Sequence, residues 1–204
     1  MKENIKDTNK EALILDVAKK VIAERGFSQT RMDDIAQRAN IAKGTLYLYF
    51  KSKEDLFIRL VETEYDKVLK GLDTIFNKDD DVITKIDAFV EGFLKYMENN
   101  RGFFTSIMFE APSIKKKDIK ERVFEKNRLI NEKLKDVIRT GIDEGIIRND
   151  IEITVILSAI FGLVSRVVFY AIHFEKEKPL ISYKDSILKV IFSGILKEKG
   201  GILW

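Results

Sequence analysis

Apolar side chains recur every three or four residues along nearly the whole chain, and this spacing is the strongest constraint on the fold. Between residues 10 and 24, for example, Leu13, Val17 and Val21 form one row and Ala18 lies in the row beside it. Apolar residues spaced in this way share one face of an α-helix, whereas a half-buried strand needs strict alternation. We find no alternating segment, and the chain has only two prolines. The sequence therefore predicts an all-α fold.

Glycines, prolines and capping sequences divide the chain into nine predicted helices. Gly26 and Gly145 follow apolar helical patterns and are expected stops, and further breaks are expected at residues 79–81, Pro112 and Pro179. Three S/T-x-x-D capping boxes are expected at Thr30–Asp33, Ser52–Asp55 and Ser182–Asp185. The predicted helices cover residues 10–24, 30–39, 43–50, 52–76, 83–99, 103–110, 118–143, 151–174 and 183–198.

The residue inventory excludes several classes of site. The chain of 204 residues contains no cysteine and one histidine, His173, so disulfides, thiolate metal sites and sites with two imidazoles are excluded. We find no Gly-rich phosphate loop and no pair of nucleophile and base, so no enzyme activity, metal or cofactor is expected. Two alternatives stay open: an all-α carrier or enzyme that uses an apolar cavity, and a module that binds another protein.

The positive charge of the chain is concentrated at its amino end. Residues 1–60 hold 12 Lys and Arg against 9 Asp and Glu, whereas residues 61–204 hold 24 of each. A small local excess of this kind is compatible with a polyanionic partner, although charged runs usually form solvated faces.

Two short predicted helices, residues 30–39 and 43–50, are joined by a tight turn, which is the geometry of a helix-turn-helix. On the second helix, Leu46 and Phe50 are four residues apart and should be buried on one face. The segment 43–49 rises about 10 Å, which fits a DNA major groove about 12 Å wide. The remaining side chains are suited to contact with phosphates and bases, and comprise Lys43, Gly44, Thr45, Tyr47, Leu48 and Tyr49.

Each of these residue types has a chemical role on DNA. Gly44 has no Cβ and permits close approach to the sugar-phosphate backbone, and Lys43 can reach a phosphate or a guanine edge. Thr45 can donate to a base, and Leu48 can pack only on apolar groups such as a thymine methyl. Tyrosines and flanking cations can bind phosphates, and these are Tyr47, Tyr49, Lys53 and Arg31.

The segment 35–57 resembles the amino-terminal DNA-binding domain of the TetR family of transcriptional repressors. The matching motifs are IAxxA at 35–39, AKGTLYxYF at 42–50 and KSKEDLF at 51–57. The sequence departs from the family pattern at Ala42, where many members carry Ser, and at Leu48, where an aromatic residue is common. The resemblance covers about residues 10–60.

The resemblance implies a helix-turn-helix domain (residues 1–55) joined by a long helix to a helical effector-binding and dimerisation domain (residues 56–204). It further implies a homodimer that binds a palindromic operator and leaves the DNA when a small apolar effector binds. The family's usual DNA-contacting positions correspond to Lys43, Gly44, Thr45, Tyr47, Tyr49 and Lys53, and Thr30 and Arg31 lie in its contact region at the second helix.

Large apolar residues in the middle of the chain are candidates for the effector site, although plain core packing explains such a pattern more often. These are Phe89, Phe93, Met97, Phe103, Phe104, Met108 and Phe109. Arg166 interrupts an apolar segment and can pair with an anionic effector, with Glu110 or across a dimer interface; structural pairing is favoured. His173 lies near a helix end and is interpreted as structural.

The helices predicted at 151–174 and 183–198 are apolar around much of their circumference, which favours a dimer interface over a single core contact. The small residues Ser158, Ala159, Gly162 and Ser165 would permit close helix packing, within one subunit or between two. Arg166 follows only thirteen uncharged residues, and a membrane span needs about 20 apolar residues. We therefore expect a buried helix, no membrane segment and a cytoplasmic protein.

Overall fold

A computed structural model describes the backbone of residues 2–110 and 117–196 and the side chains of residues 9–106 and 121–196. In this part of the chain one isolated antiparallel bridge, between Ile147 and Leu196, accompanies the helices. A 3-10 turn, Leu180–Tyr183, precedes the last helix. The helices are α1 (Lys2–Arg25), α2 (Met32–Arg38), α3 (Lys43–Tyr49), α4 (Lys53–Phe76), α5 (Val82–Asn99), α6 (Arg101–Glu110), α7 (Lys117–Asp143), α8 (Ile153–Phe174) and α9 (Lys184–Ile195). The all-α prediction is confirmed.

The helices form two compact units, each built from two stretches of the chain. The first unit contains Met1–Lys67 and Asn100–Lys126, and the second contains Val68–Asn99 and Asn127–Trp204. The helices α4 and α7 therefore contribute residues to both units. These packing units do not coincide with the domains 1–55 and 56–204, which stay a prediction about function.

The core of the first unit is a continuous cluster of buried side chains. Ile14 and Ile22 of α1 are fully buried, as are Leu46 of α3 and Leu56 of α4. Phe103 of α6 completes the cluster, and its ring centroid lies 6.1 Å from that of Phe57. Burying a large apolar side chain contributes about 1.5–3 kcal/mol, so this cluster fixes the short helices α2 and α3 on α1.

The helix ends test the expected stops and the second capping box. Gly26 and Gly145 have φ of 81° and 70°, and both follow a helix end as expected. The Asp55 amide donates to Ser52 Oγ at 3.1 Å, so the Ser52 cap of α4 is confirmed, whereas the Asp55 carboxylate accepts the Lys51 amide at 2.9 Å. The break at residues 79–81 is also confirmed, and Asp81 accepts the Thr84 amide of α5 at 2.8 Å. The break expected at Pro112 lies outside the described residues.

Two other predicted capping boxes are wrong. At α2 the Thr30 hydroxyl donates backwards to the Gly26 carbonyl at 2.7 Å, and the Asp34 carboxylate accepts the Arg31 amide at 3.3 Å. Before α9, Ser182 lies inside the 3-10 turn and not at the residue that precedes the helix. Its hydroxyl donates to the Pro179 carbonyl at 2.7 Å. In both places the hydroxyl bonds a carbonyl of the preceding segment instead of the first turn of the helix.

The first and last predicted helices have different ends from those expected. Helix α1 begins at Lys2 and not at residue 10, because Lys and Glu are good helix formers and can extend a helix without an apolar face. Helix α9 is shorter at its start, because the 3-10 turn precedes it. Residues beyond 196 lie outside the described part of the chain.

Helix α8 buries one face in the second unit and exposes the other. Its buried residues include Ile160 and Val168, whereas Val155 and Phe174 are 57% and 69% exposed. By length and composition alone α8 is long and apolar enough to cross a membrane. Of the residues in its most apolar segment, 33% are buried inside the protein. Core helices of soluble proteins also pass that test. The prediction of a buried helix therefore holds for one face only.

Candidate nucleic-acid interface

Helices α2 and α3 are joined by a short turn whose geometry depends on Asn40. Asn40 has φ of 53°, in the left-handed region that asparagine tolerates better than most residues. The turn is closed by a hydrogen bond from the Ile41 amide to the Ala36 carbonyl at 3.0 Å. The two helices therefore have the arrangement expected of a helix-turn-helix.

The inward face of α3 is as predicted. Leu46 is fully buried and Phe50 is 2% exposed, and both belong to the core cluster of the first unit. No other residue of α3 is buried. These two anchors leave the opposite face of α3 directed away from the core.

The outward face of α3 is exposed and partly apolar. Leu48 is 84% exposed and Tyr47 is 43% exposed. A Cβ built on Gly44 would meet no atom within 4 Å, so packing within the protein does not require a glycine there. Thr45 and Tyr49 are only half-buried, and Tyr49 also packs against the core cluster. Contact with a partner would explain why such a short exposed helix carries Gly, Leu and Tyr.

Lys43 at the start of α3 is paired with an acidic residue of α2. Its Nζ lies 2.7 Å and 2.9 Å from the two carboxylate oxygens of Asp33. Both side chains are more than half exposed. The hydrogen bond to Asp33, followed by the charge of that carboxylate, raises the pKa of Lys43 above its ordinary value. Sequence reasoning assigned Asp33 to a capping box with Thr30 and did not find this pairing, because a separation of ten residues across a turn has no simple periodicity.

Lys53 is bonded to the backbone of the loop between α1 and α2. Its Nζ donates to the carbonyls of Phe27 and Ser28 at 2.9 Å and 3.1 Å, and it lies 4.6 Å from the centroid of the Phe27 ring. Two of its three donor hydrogens are therefore occupied. Lys53 therefore holds this loop against α4, and its role as a phosphate clamp stays a prediction.

The two predicted DNA contacts at the start of α2, Thr30 and Arg31, differ in their exposure. Thr30 is 1% exposed and its hydroxyl is bonded to Gly26, so its assignment as a side-chain contact with DNA is corrected. Arg31 is exposed. Its position beside the exposed end of α2 keeps it in the set of proposed contacts.

The predicted effector residues fall into different units. Phe89 and Met97 are buried in the second unit, and Phe93 is half-buried beside them. Phe104 lies in the first unit, where its ring centroid is 6.1 Å from that of Phe103. Phe103 itself is a core residue. The side chains of Met108 and Phe109 lie outside the described residues.

Two aromatic residues that sequence reasoning missed join the cluster in the second unit. The centroid of Phe161 lies 6.2 Å from that of Phe89 and 5.9 Å from that of Phe93. Phe76 contacts the same cluster through Phe89 at 6.3 Å. Phe161 was hidden in the continuous apolar sequence of α8, where periodicity cannot distinguish one face from another.

Arg166 and His173 have contacts within α8. Arg166 is exposed, and its guanidinium carbon lies 5.2 Å from the Phe169 ring centroid. No carboxylate of the described residues forms an ion pair with Arg166. The His173 Nδ1 lies 2.6 Å from the Phe169 carbonyl oxygen and its ring stacks on Phe169, in agreement with a structural role.

A polar cleft of about 340 Å³ lies in the second unit, between residues of α4, α5 and α7. Its lining includes Asp73, Lys85, Lys133 and Asp136, and none of the predicted effector residues. The described residues contain no cluster of three or more His, Asp or Glu side chains arranged for a metal ion.

Comparison with known proteins matches the amino-terminal segment to a family model and about nine-tenths of the chain to curated regulators. A family model described as bacterial regulatory proteins, tetR family, matches residues 14–60. The fatty acid metabolism regulator protein of Bacillus subtilis is 25% identical over 184 residues, which are 89% of this chain and 93% of that protein. The transcriptional repressor KstR2 of Mycobacterium tuberculosis is 22% identical, over 91% of this chain and 92% of its own.

The fold is also similar to that of a solved structure. The transcriptional regulator FadR of Bacillus subtilis, in complex with stearoyl-CoA, superimposes with a TM-score of 0.79 at 23% identity. The match covers 90% of this chain and 98% of that chain. At this identity the likeness concerns the fold.

Proposed function

Because the chain belongs to the TetR family of bacterial regulatory proteins and is a DNA-binding transcriptional regulator, we propose that it represses by placing α3 in the major groove of an operator. Regulators of this family bind DNA and small-molecule ligands and act as dimers. In our proposal two protomers bind the two halves of a palindrome in the cytoplasm.

The exposure of α3 is the observation that carries this proposal. Leu46 and Phe50 fix the helix from inside, whereas Leu48 is 84% exposed without a core to cover it. An exposed leucine beside Tyr47 and Gly44 suits a base edge and a phosphate backbone. The proposed contacts are Arg31, Lys43, Gly44, Thr45, Tyr47, Leu48 and Tyr49.

Selection of bound fragments from random duplexes tests the proposal and defines the operator. We expect a palindrome whose half-sites are about one helical turn, 34–36 Å, apart or farther, and an affinity that falls steeply with salt. Lys43→Ala should weaken binding, whereas Lys70→Ala, an exposed lysine of α4 in the other unit, should not. Recovery of no sequence, or equal effects of the two substitutions, would contradict the proposal.

We place the dimer interface on α8 and α9, over about residues 151–174 and 183–198. Support comes from the exposed apolar side chains there: Val155 and Phe174 of α8 and Val190 of α9 are 57%, 69% and 62% exposed. Burying such a surface is favourable by about 25 cal/mol per Å². Val190→Asp should shift sedimentation towards the monomer, whereas Ile83→Asp on α5 should not; a dimer that survives Val190→Asp would contradict this placement.

We propose that the effector carries a long acyl chain. Support comes from the relatives, which include a fatty acid metabolism regulator and a structure with stearoyl-CoA, and from the aromatic cluster of Phe89, Phe93 and Phe161. Aromatic and aliphatic linings suit an apolar ligand. The effector would release DNA by binding more tightly to a conformation that does not fit the operator. Met97 and Arg166 belong to the same unit and are further proposed contacts, whereas Phe104, Met108 and Phe109 stay predictions from the sequence.

Stearoyl-CoA and free coenzyme A are a matched pair of probes. Stearoyl-CoA should lower the affinity for the selected operator at least fivefold, a coupling of about 1 kcal/mol, while coenzyme A has no effect. Phe93→Ala should reduce that response, and Phe124→Ala, a 70% exposed phenylalanine on α7, should not. A protein that binds stearoyl-CoA but no duplex would support the alternative, an apolar carrier.

A further inference from the structure

The ion pair between α2 and α3 occupies a side chain that is expected to bind DNA. The Lys43 Nζ lies within 3 Å of both Asp33 oxygens, at 2.7 Å and 2.9 Å. Both residues are exposed. With Asp33 beside it, the charge of Lys43 is neutralised before any phosphate arrives.

The pair contributes little to the fold, since exposed pairs of this type are weak and screened by salt. A phosphate that binds Lys43 must displace the Asp33 carboxylate or lie close to it. In either case a negative side chain is left near the negative backbone of DNA. The pair therefore opposes DNA binding while having little effect on folding.

We propose that Asp33 is an affinity-limiting residue, which competes with a DNA phosphate for Lys43. This inference rests on the proposed DNA-binding function, and in particular on contact between Lys43 and a phosphate. A phosphate contact carries no sequence information, so the competition weakens binding to the operator and to unrelated duplexes by the same factor. Asp33 thereby lowers the affinity for DNA without changing the preference for one sequence over another.

The substitution Asp33→Asn tests the competition, because asparagine retains the shape of the side chain and removes its charge. We expect about two- to fivefold tighter binding to the selected operator and to an unrelated duplex at low salt, the scale of an exposed ion pair. The slope of log K against log salt should become steeper by up to about 0.9, because Lys43 now neutralises one phosphate. Thermal melting should be nearly unchanged.

A double-mutant cycle separates competition from a general loss of negative charge. In the Lys43→Ala background Asp33→Asn should give a smaller gain than in the wild type. Asp34→Asn is the matched control: it removes a charge from the same turn, but Asp34 pairs with Arg25 and not with Lys43. Its effect should be the same in both backgrounds.

Three results would overturn the inference. The first is an unchanged affinity of Asp33→Asn for DNA, and the second is an equal gain in affinity in the Lys43→Ala background. The third is weaker binding of Asp33→Asn to the operator but not to an unrelated duplex, which would mean that Asp33 accepts a hydrogen bond from a base. If the wild type binds no duplex, the proposed function fails as well. If the wild type binds the operator but Asp33→Asn gives one of these three results, the inference about Asp33 fails and the proposed function stands.

Discussion

The substitution Gly44→Ala should stabilise the protein and impair DNA binding. The two effects have separate structural causes. Within the protein, a Cβ at residue 44 meets no atom within 4 Å, so the methyl group costs nothing in packing. On DNA, by contrast, the absence of a side chain would let the start of α3 approach the sugar-phosphate backbone.

Both magnitudes can be worked out from these contacts. Alanine in a helix is favoured over glycine by roughly 0.5–1 kcal/mol. For a chain of this size 1 kcal/mol shifts the melting temperature by about 2–4 °C, so an increase of about 1–4 °C is expected. Forcing a methyl group into a close contact costs typically 1–3 kcal/mol, which corresponds to binding weaker by about 5- to 150-fold.

Thermal melting and fluorescence anisotropy with the selected operator measure the two effects on one sample. Gly71→Ala is the matched control, because Gly71 is an exposed residue of α4 with no atom within 4 Å of its built Cβ. It should raise the melting temperature by a similar amount and leave binding unchanged. If Gly44→Ala binds as tightly as the wild type, residue 44 does not lie against the DNA backbone, and our placement of α3 is refuted.

Three further substitutions test the packing and charge described above. Leu46→Ala should cost about 2–5 kcal/mol in the free energy of unfolding in urea, because Leu46 is fully buried; a loss below about 0.5 kcal/mol would contradict its anchoring role. Gly102→Ala should destabilise by about 1–3 kcal/mol, because its Cβ would lie 2.6 Å from the Ala23 carbonyl oxygen, and unchanged melting would refute that close approach. Hydrogen bonding to Lys184 lowers the pKa of Glu91 from 4.5 to about 2. Its stabilising effect is therefore complete above pH 4.5 and is lost as the pH falls through about 2; Glu91→Gln should flatten this part of the curve of stability against pH, and an unaltered curve would argue against the pairing.

The sequence predicted the parts of the fold that depend on apolar spacing. The i, i+4 pair of Leu46 and Phe50 was expected to face inward, and both residues are buried. Gly26 and Gly145 were expected to end helices, and both have positive φ. These features are local, since a few neighbouring residues determine them and the packing partner only has to be apolar.

The sequence predicted less about polar side chains that choose among several partners. The Thr30 hydroxyl bonds the end of α1 instead of the start of α2, and the Lys53 ammonium bonds two carbonyls of a loop about 25 residues earlier in the chain. The relevant acceptors are brought close only by the tertiary fold. The same reason explains why the pairing of Asp33 with Lys43 and the contact of Phe161 with Phe89 were missed, because each joins two different helices.

The exposed apolar side chains of α8 also have a consequence for gene control. If protomers associate through these side chains, the concentration of the dimer, which binds both halves of a palindrome, increases with the square of the protomer concentration as long as most of the protein is monomeric. Doubling synthesis would then raise that species about fourfold. Repression would therefore change from weak to strong over a narrow range of protein concentration, because dimerisation through Val155 and Phe174 depends on that concentration.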